Sequence, residues 1–395
     1  MFSLSRRQFL LGAAAAGASA ALARWLPTSA RGVAVVPRVI HTHCLEATNW
    51  DYSSGWYGDY VSQLAVDLMT DRGVMELTDT ATAADAWHAI LPNYQTGQKV
   101  AIKINLNNAG CGDSDNVIDA LPQPVNSVIR GLKSIGVAES NIWIYDVTSG
   151  WHQGEFPDRL IAPIAALYPG VQFHAAENWC SSSVQTLGFS GTQLIHFATP
   201  NGKPAITDRP ICNALANAHY LINMPIMKKH GMAGVTLGFK NHFGSFESCQ
   251  TAHWSVDLGD GEYVSTYNGM VDMFKNTHFK DKTVLTIGDA LFGARYNNYN
   301  EVPNPWPTFG NKSPNSLFFS IDPVAIDCVM YDFLADEGGV PAGSDDYLKL
   351  ANTAGLGTFE HWDAGHHYGL IDYQRYEVVT GATLTEHVYL PLVSR

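Results

Sequence analysis

The stretch from residue 223 to residue 247, NMPIMKKHGMAGVTLGFKNHFGSFE, organises the interpretation of the whole chain. Apolar residues 220–224 lead into it and predict a buried strand that ends at Pro225. Cationic groups at a glycine-rich strand-to-helix junction are typical of a site for an anion or a metal-bound anion, because backbone N–H groups can approach a ligand closely there. A charged surface loop with ordinary salt bridges is the alternative. The polar residues of this stretch are Asn223, Lys228, Lys229, His230, Lys240, Asn241 and His242.

Two further predicted strands end in polar residues. Residues 99–105 alternate apolar and polar side chains, so Lys103 and Asn105 share one face near the end of a strand. Residues 283–288 form another strand, with Asp289 expected just after it. Ligands of open α/β sheets bind beyond the carboxyl ends of the strands. The side chains expected to converge there are Lys103, Asn105, Asn223, Lys228, His230, Lys240, Asn241 and Asp289.

Two aspartates near residue 325 have different expected roles. Asp322 followed by Pro323 predicts the start of a helix, with the aspartate as N-cap and the proline at the first helical position. Asp327 lies inside that apolar helix, and a buried acid needs a partner. A lysine of the site is one candidate partner for Asp327, and a cap or helix-packing bond is the other.

The order of the predicted elements indicates the fold class. An amphipathic helix over residues 124–136 precedes a buried strand over residues 141–147, and together with strand 99–105 they form a βαβ unit. We therefore expect a three-layer α/β fold, with a mostly parallel central sheet and helices on both faces. Residues 33–395 are expected to form a single domain, in which residues 150–215 are a decoration.

The motif around residue 230 resembles the DUF362 family, a domain of unknown function. The matching pattern is Asn-x-Pro-x-x-Lys-x-His-Gly, followed by Gly-x-Thr-x-x-x-Lys-Asn-x-x-Gly, and further matching pieces are residues 99–105, 287–290 and 322–327. The family has no assigned chemistry, so the resemblance implies the place of the site rather than the reaction. Some family members carry a ferredoxin-like cysteine cluster. This sequence contains no C-x-x-C, so we expect no iron–sulfur cluster here.

The first 23 residues resemble a twin-arginine export signal. Arg6 and Arg7 precede a mildly hydrophobic run, and residues 21–23 offer an A-x-A cleavage site. A membrane anchor is the alternative, but the run over residues 9–23 is shorter than the roughly 20 residues that span a bilayer. We expect a cleaved signal, the twin-arginine export machinery as a partner, and a periplasmic, cell-surface or extracellular mature chain without a stable membrane span. Export in the folded state accommodates a cofactor loaded beforehand, and it equally suits fast folding.

Composition and charge exclude several classes of protein. The chain of 395 residues is 46% hydrophobic and 15% charged, which suits a large core and argues against disorder. Its net charge is −13, and residues 1–23 contribute two arginines and no acid, so the remainder carries −15. Such an acidic chain is not expected to bind nucleic acid. The sequence also lacks a P-loop, a G-x-S-x-G motif and an H-E-x-x-H motif.

Metal binding stays open at the level of sequence. His41 and His43 alternate on the first predicted strand, which suits half of a metal site and equally suits polar residues at a strand end. Histidines and an aspartate also gather over residues 361–367. The six cysteines are widely spaced, as in either separate disulfides or buried thiols. No cofactor can be assigned from these patterns; a metal remains one candidate.

Three functional hypotheses follow. In the first, the chain is an exported enzyme: Lys103, Lys228 and Lys240 hold a small anionic substrate, His230 is the acid/base, and Asp289 holds a cation or orients the histidine. In the second, the chain is a non-catalytic protein that captures an anion or a metal complex. In the third, it is a structural or surface-assembly protein whose lysines pair with Asp289 and Asp327. The third hypothesis requires every lysine of the site to be bonded to a carboxylate of the protein, with no cavity left between them.

Overall fold

A computed structural model of the chain describes most of the sequence. The described residues are 36–109, 115–147, 156–175, 183–198, 206–260, 265–295, 302–338, 340–363, 365 and 367–381. The export signal and His366 lie outside them. No helix of this part of the chain is long and apolar enough to cross a membrane.

Eleven of thirteen described strands form one central sheet. The order in the sheet is β13-β1-β12-β11-β8-β2-β3-β4-β5, and β9 continues along β11 and pairs with β10. The strands are β1 Arg38–His43, β2 Val100–Lys103, β3 Ile142–Tyr145, β4 Gln172–Ala175, β5 Val184–Thr186, β6 Phe189–Ile195, β7 Arg209–Cys212, β8 Tyr220–Asn223, β9 Ile226–His230, β10 Gly234–Thr236, β11 Thr283–Ala294, β12 Ser316–Ser320 and β13 Asp372–Glu377.

Most neighbouring strands of the sheet are parallel. The pairs from β11 through β8, β2, β3 and β4 to β5 are all parallel, whereas β12 is antiparallel to both of its neighbours. Strands β6 and β7 form a separate antiparallel ribbon. Within residues 150–215, therefore, β4 and β5 extend the central sheet, and only the ribbon stands apart from it. The interpretation of the chain as a single domain stays a prediction.

Helices cover both faces of the sheet. They are α1 Gln63–Thr78, α2 Ala83–Ile90, α3 Pro122–Ser134, α4 Asp158–Leu167, α5 Asn213–Asn217, α6 Gly238–Asn241, α7 Gly269–Lys275, α8 Thr277–Lys280, α9 Pro323–Asp336 and α10 Asp346–Thr353. Apolar residues of α1–α4 form one core, and those of α5–α10 form the other. Side chains alternate between the cores along each strand: Ile102 joins the first and Ala101 the second. The predicted three-layer α/β fold is confirmed.

Two local predictions around the site are corrected by the structure. Residues after Pro225 do not form a loop; β9 contains Lys228, Lys229 and His230, and it turns back into β10. The strand predicted to end at Gly288 continues to Ala294, so Asp289 lies within a strand. Both differences have one cause: the second half of β11 pairs with β9 and supplies it with a backbone partner that local sequence does not reveal.

The predicted start of α9 is confirmed. The buried Asp322 Oδ1 accepts hydrogen bonds from Val324 N and Ala325 N, both at 2.9 Å, and Oδ2 accepts one from Thr358 N at 3.0 Å. One carboxylate therefore caps a core helix and also holds the chain that follows α10.

We expect Asp322→Ala to lower the free energy of unfolding by about 2 kcal/mol, because two buried N–H groups and one partly buried N–H group lose their acceptor. Chemical denaturation measures this loss. Thr82→Ala is the matched control: Thr82 caps α2 at an exposed position through a single backbone bond, so its loss should be about 1 kcal/mol or less. Equal losses in the two variants would contradict the role given to Asp322.

Candidate functional site

An amide network joins the ends of two adjacent strands to α6. Lys103 of β2 and Asn223 of β8 are direct neighbours in the sheet. Asn241 of α6 donates from Nδ2 to Asn223 Oδ1 at 2.8 Å, and its Oδ1 accepts from Asn105 Nδ2 at 3.0 Å. Asn223 Nδ2 donates in turn to Gly238 O at 3.0 Å. The three asparagines use their amides on one another and on backbone, so they fix the strand ends against the helix.

Lys103 belongs to the same network and has a counter-charge. Its Nζ lies 3.2 Å from Asp146 Oδ2 and 3.4 Å from Asn241 Oδ1, and it donates to Ile104 O at 2.5 Å. The side chain is completely buried, and this burial lowers the pKa of Lys103. Because Asp146 also accepts from Leu106 N at 2.8 Å, the pair ties β2 to β3. Lys103 is therefore a charge-compensated part of the scaffold.

Asp327 holds the first turn of α6. Its Oδ1 accepts from Gly238 N at 2.7 Å, and its Oδ2 accepts from Phe239 N and from Tyr347 Oη, both at 3.0 Å. The partners of this acid are thus backbone N–H groups and a tyrosine, as in the cap alternative, and no lysine is among them. Burial raises the pKa of Asp327 to about 7 despite these bonds. Asp327 positions α6 and the two polar residues that the helix carries.

Lys240, on the last turn of α6, lies in different surroundings from Lys103. Its Nζ lies 3.2 Å from His253 Nε2 and 3.8 Å from the centre of the Phe243 ring. Burial lowers the pKa of Lys240 to about 7, and the nearby charge of Lys228 contributes to the lowering. Within the described part of the chain, no carboxylate oxygen lies in ion-pair distance of this ammonium group.

His253 is oriented by a second bond. Its Nδ1 lies 3.2 Å from Cys249 O, a carbonyl that can only accept, so Nδ1 carries the proton and Nε2 offers a lone pair to Lys240. Its ring stacks on that of His230 at 6.1 Å with an angle of 17°. Burial lowers the pKa of His253 to about 3. The histidine is therefore neutral around pH 7 and gives Lys240 no counter-charge.

The β9–β10 hairpin supplies further polar side chains near Lys240 and His253. Met232 N and Ala233 N donate to His230 Nδ1 at 3.2 and 3.1 Å, and burial, followed by the charge of Lys240, lowers the pKa of His230 well below its ordinary value. Thr236 lies directly opposite Lys228, and its buried Oγ1 makes no hydrogen bond. We call Lys228, His230, Thr236, Lys240 and His253 the Lys–His cluster.

Asp289 is set apart from the amide network. In the sheet it lies opposite Leu317 and Ile226, whose side chains belong to the core under α1–α4, whereas Tyr145, which pairs with Lys103, belongs to the other core. Its Oδ1 accepts from Leu291 N at 3.0 Å, and burial raises its pKa to about 7. The contacts described for Asp289 do not join it to any of the predicted lysines.

Sequence reasoning missed two members of the cluster. His253 lies in 3-10 turns over Cys249–Val256, and only tertiary packing brings it to Lys240. Thr236 is part of the Gly-x-Thr motif, which was a usable signal. Lys229, by contrast, points away from the cluster, since its neighbour Val235 packs in the core under α5–α10 and its Nζ donates to Gly338 O at 2.6 Å.

The histidines considered as metal ligands are engaged in hydrogen bonds. His41 bonds to Ser316 Oγ and Tyr373 Oη, both at 2.8 Å, and His43 bonds to Glu377 Oε2 at 2.5 Å. His361 lies between Asp332 and Asp345, which raise its pKa to about 9 against the opposing effect of burial. Among the residues with described positions, no group of three His, Cys, Asp or Glu side chains is arranged to hold a metal ion.

The pKa of Asp289 predicts a pH effect on stability. Because burial raises this pKa from 3.8 to about 7, the folded protein retains a proton that the unfolded chain releases between these two values, and stability is lost as the pH rises through this window. Asp289→Asn removes the titration. We expect the free energy of unfolding of the variant, relative to the original protein, to grow across the window by more than about 1 kcal/mol.

Denaturant titrations at several pH values measure this difference. Asp281→Asn, at an exposed carboxylate, is the control for the same chemical change at the surface. A difference for Asp289→Asn that stays flat with pH would contradict the buried, protonated state of Asp289.

Comparison with known proteins agrees with the motifs. No curated protein matches the chain. Residues 100–332 match the family described as "Domain of unknown function (DUF362)", and this match includes the amide network, Asp327 and the whole Lys–His cluster. Because the matched segment covers more than half of the 395 residues, the chain belongs to the DUF362 family.

Proposed function

We propose that the chain binds a small anionic ligand at the Lys–His cluster. The observation that carries this proposal is the ammonium group of Lys240, which is buried beside a neutral histidine and an aromatic ring without a carboxylate among its described contacts. Burying an unpaired charge costs several kcal/mol. An anion bound between Lys240 and Lys228 would supply the missing counter-charge.

Two hydrogen-bond donors near Lys228 support an anion rather than a neutral ligand. The hydroxyl of Thr236 has no partner and lies opposite Lys228 in the hairpin. His230 accepts backbone N–H groups at Nδ1, so its proton is on Nε2. A ligand that presents several acceptor oxygens, such as a carboxylate or an oxyanion, suits donors of this kind.

A purely structural role is disfavoured by the contrast between the lysines. It requires each lysine to be bonded to a protein carboxylate, and Lys103 meets this requirement through Asp146. Lys240 does not meet it within the described residues, and Asp327 is engaged with backbone and Tyr347 instead. We propose that Lys103, Asn105, Asn223 and Asn241, which the sequence predicted to converge at the site, position α6 and do not contact the ligand directly. The contacts of Asp327 give it the same positioning role.

We further propose that the chain is exported by the twin-arginine route, so that ligand binding takes place outside the cytoplasm. The support is the paired Arg6 and Arg7 ahead of a weakly hydrophobic run. The machinery accepts folded proteins, and the buried cluster on a sheet of long-range strand pairs requires folding before a ligand can be held.

For the binding proposal we expect sulfate or malonate to bind the folded protein, with an affinity that falls as the pH rises above 7. The bound anion needs Lys240 protonated, and the pKa of the free group is about 7. One linked proton lowers the affinity by up to about tenfold per pH unit above that value. Both probe anions keep their charge in this range, so isothermal titration calorimetry reports the protein group.

Lys240→Ala should weaken binding by about tenfold or more, since a charge-assisted bond is lost. Lys280→Ala is the matched control, because Lys280 is exposed at the end of α8, and its affinity should equal that of the original protein. Absence of binding of both anions near pH 6, or equal affinities in Lys240→Ala and the original protein, would overturn the proposal.

For the export proposal we expect replacement of both Arg6 and Arg7 by lysine to retain the chain in the cytoplasm of a bacterial host that has the twin-arginine machinery. Fractionation and immunoblotting measure the distribution. Arg31→Lys, at an arginine outside the pair, should leave export unchanged. Export of the double-lysine variant at the original level would contradict this route.

A further inference from the structure

Lys240 is placed as a nucleophile as well as a cation. Its nitrogen lies 3.2 Å from an unprotonated histidine nitrogen and against the face of Phe243. Burial brings the pKa of Lys240 to about 7, so a large fraction of its amine is neutral near pH 7. A site that needed only charge would not require a desolvated lysine beside a proton acceptor. Lysines activated in this way attack carbonyl groups.

We propose that Lys240 forms a Schiff base with an anion that carries an aldehyde or ketone carbonyl next to its charged group, such as a 2-oxo acid. This inference rests on the proposed anion site and names the class of ligand. Lys228 would hold the charged group, since its charge acts on Lys240 and it lies opposite the unpartnered Thr236 hydroxyl. The carbonyl carbon would then face the amine.

The condensation balances without an oxidant or a further reactant. The neutral amine of Lys240 forms a bond to the carbonyl carbon, and the carbonyl oxygen gains a proton to give a carbinolamine. The C–O bond then breaks, and the oxygen leaves as water with both hydrogens of the original amine. His253 Nε2, 3.2 Å from Nζ, accepts the first proton from the nitrogen and returns it to the departing oxygen.

His253 is suited to this transfer by its orientation. Its Nδ1–H is held by Cys249 O at 3.2 Å, which leaves the lone pair of Nε2 directed to Lys240. The ring of His230 stacks on the ring of His253. His253 would therefore act on the reacting nitrogen, whereas Asp327 and the asparagines act only through the placement of α6.

The experiment is reductive trapping with pyruvate and sodium cyanoborohydride, followed by intact mass measurement and peptide mapping of the full protein. The expected result is a single adduct with the mass of one reduced pyruvate on Lys240. Malonate, which lacks a reactive carbonyl, should compete and suppress the adduct. An unmodified Lys240, or adducts spread over exposed lysines without suppression by malonate, would overturn the Schiff-base proposal.

Variants separate this step from anion binding and from misfolding. Lys240→Arg keeps a positive charge but has no nucleophilic amine, so its adduct should be lost. Lys282→Arg is the matched control: burial also lowers the pKa of Lys282, to about 8, but its amine donates to Leu215 O and Ala216 O. That variant should give the full adduct. His253→Gln should slow trapping at least tenfold, with a thermal unfolding curve like that of the original protein; an unchanged trapping rate would overturn the role of His253.

Calorimetry on the original protein distinguishes the two proposals. Malonate binding without a pyruvate adduct would leave the anion site standing and reject the Schiff base. Failure of malonate and sulfate to bind would reject the anion site itself. A pyruvate adduct in that case would show a reactive Lys240 without an anion site.

Discussion

The carboxylate of Asp327 is the constraint on which the site depends. It is buried in α9, and both of its oxygens accept the first N–H groups of α6. A side chain at Gly238 would bring its Cβ within 2.7 Å of Asp327 Oδ1, so the close approach requires glycine there. The capped turn then sets Asn241 against the ends of β2 and β8 and sets Lys240 against His253. One helix–helix contact thus places both the amide network and Lys240.

Two buried lysines of this region, Lys103 and Lys240, have different surroundings. Lys103 lies at the centre of the network with Asp146 as its counter-charge, and it stabilises the junction of three strands and a helix. Lys240 lies one residue from Asn241, among histidines and an aromatic ring. A buried charge without a counter-charge destabilises the fold in the absence of ligand. Proteins retain such a charge where a bound ligand offsets this loss of stability. This difference in compensation, rather than the number of cations, is the reason we propose Lys240 as the ligand-binding lysine.

Much of the fold could be predicted from the sequence, because long apolar periodicities mark helices and strands. The cap at Asp322 and the three-layer arrangement followed from local chemistry. The β9–β10 hairpin did not, because Lys228 and His230 enter a strand only by virtue of β11 beside them. For the site, the motifs identified Lys240 and Asn241 but not their separate roles. His253 was missed because its place in the cluster comes from a tertiary contact with a residue thirteen positions earlier in the sequence.

The pKa of the Lys240 amine is the most direct test of whether Lys240 lacks a counter-charge in the ligand-free protein. Nuclear magnetic resonance of lysines labelled at the carbon next to the amine, with Lys240 assigned through Lys240→Arg, follows its titration without a perturbing substitution. We predict a pKa of about 7 for Lys240 in the ligand-free protein, and a higher pKa when sulfate is added. A value close to 10.5 that does not change with sulfate would contradict it, because Lys240 would then already have its counter-charge within the protein.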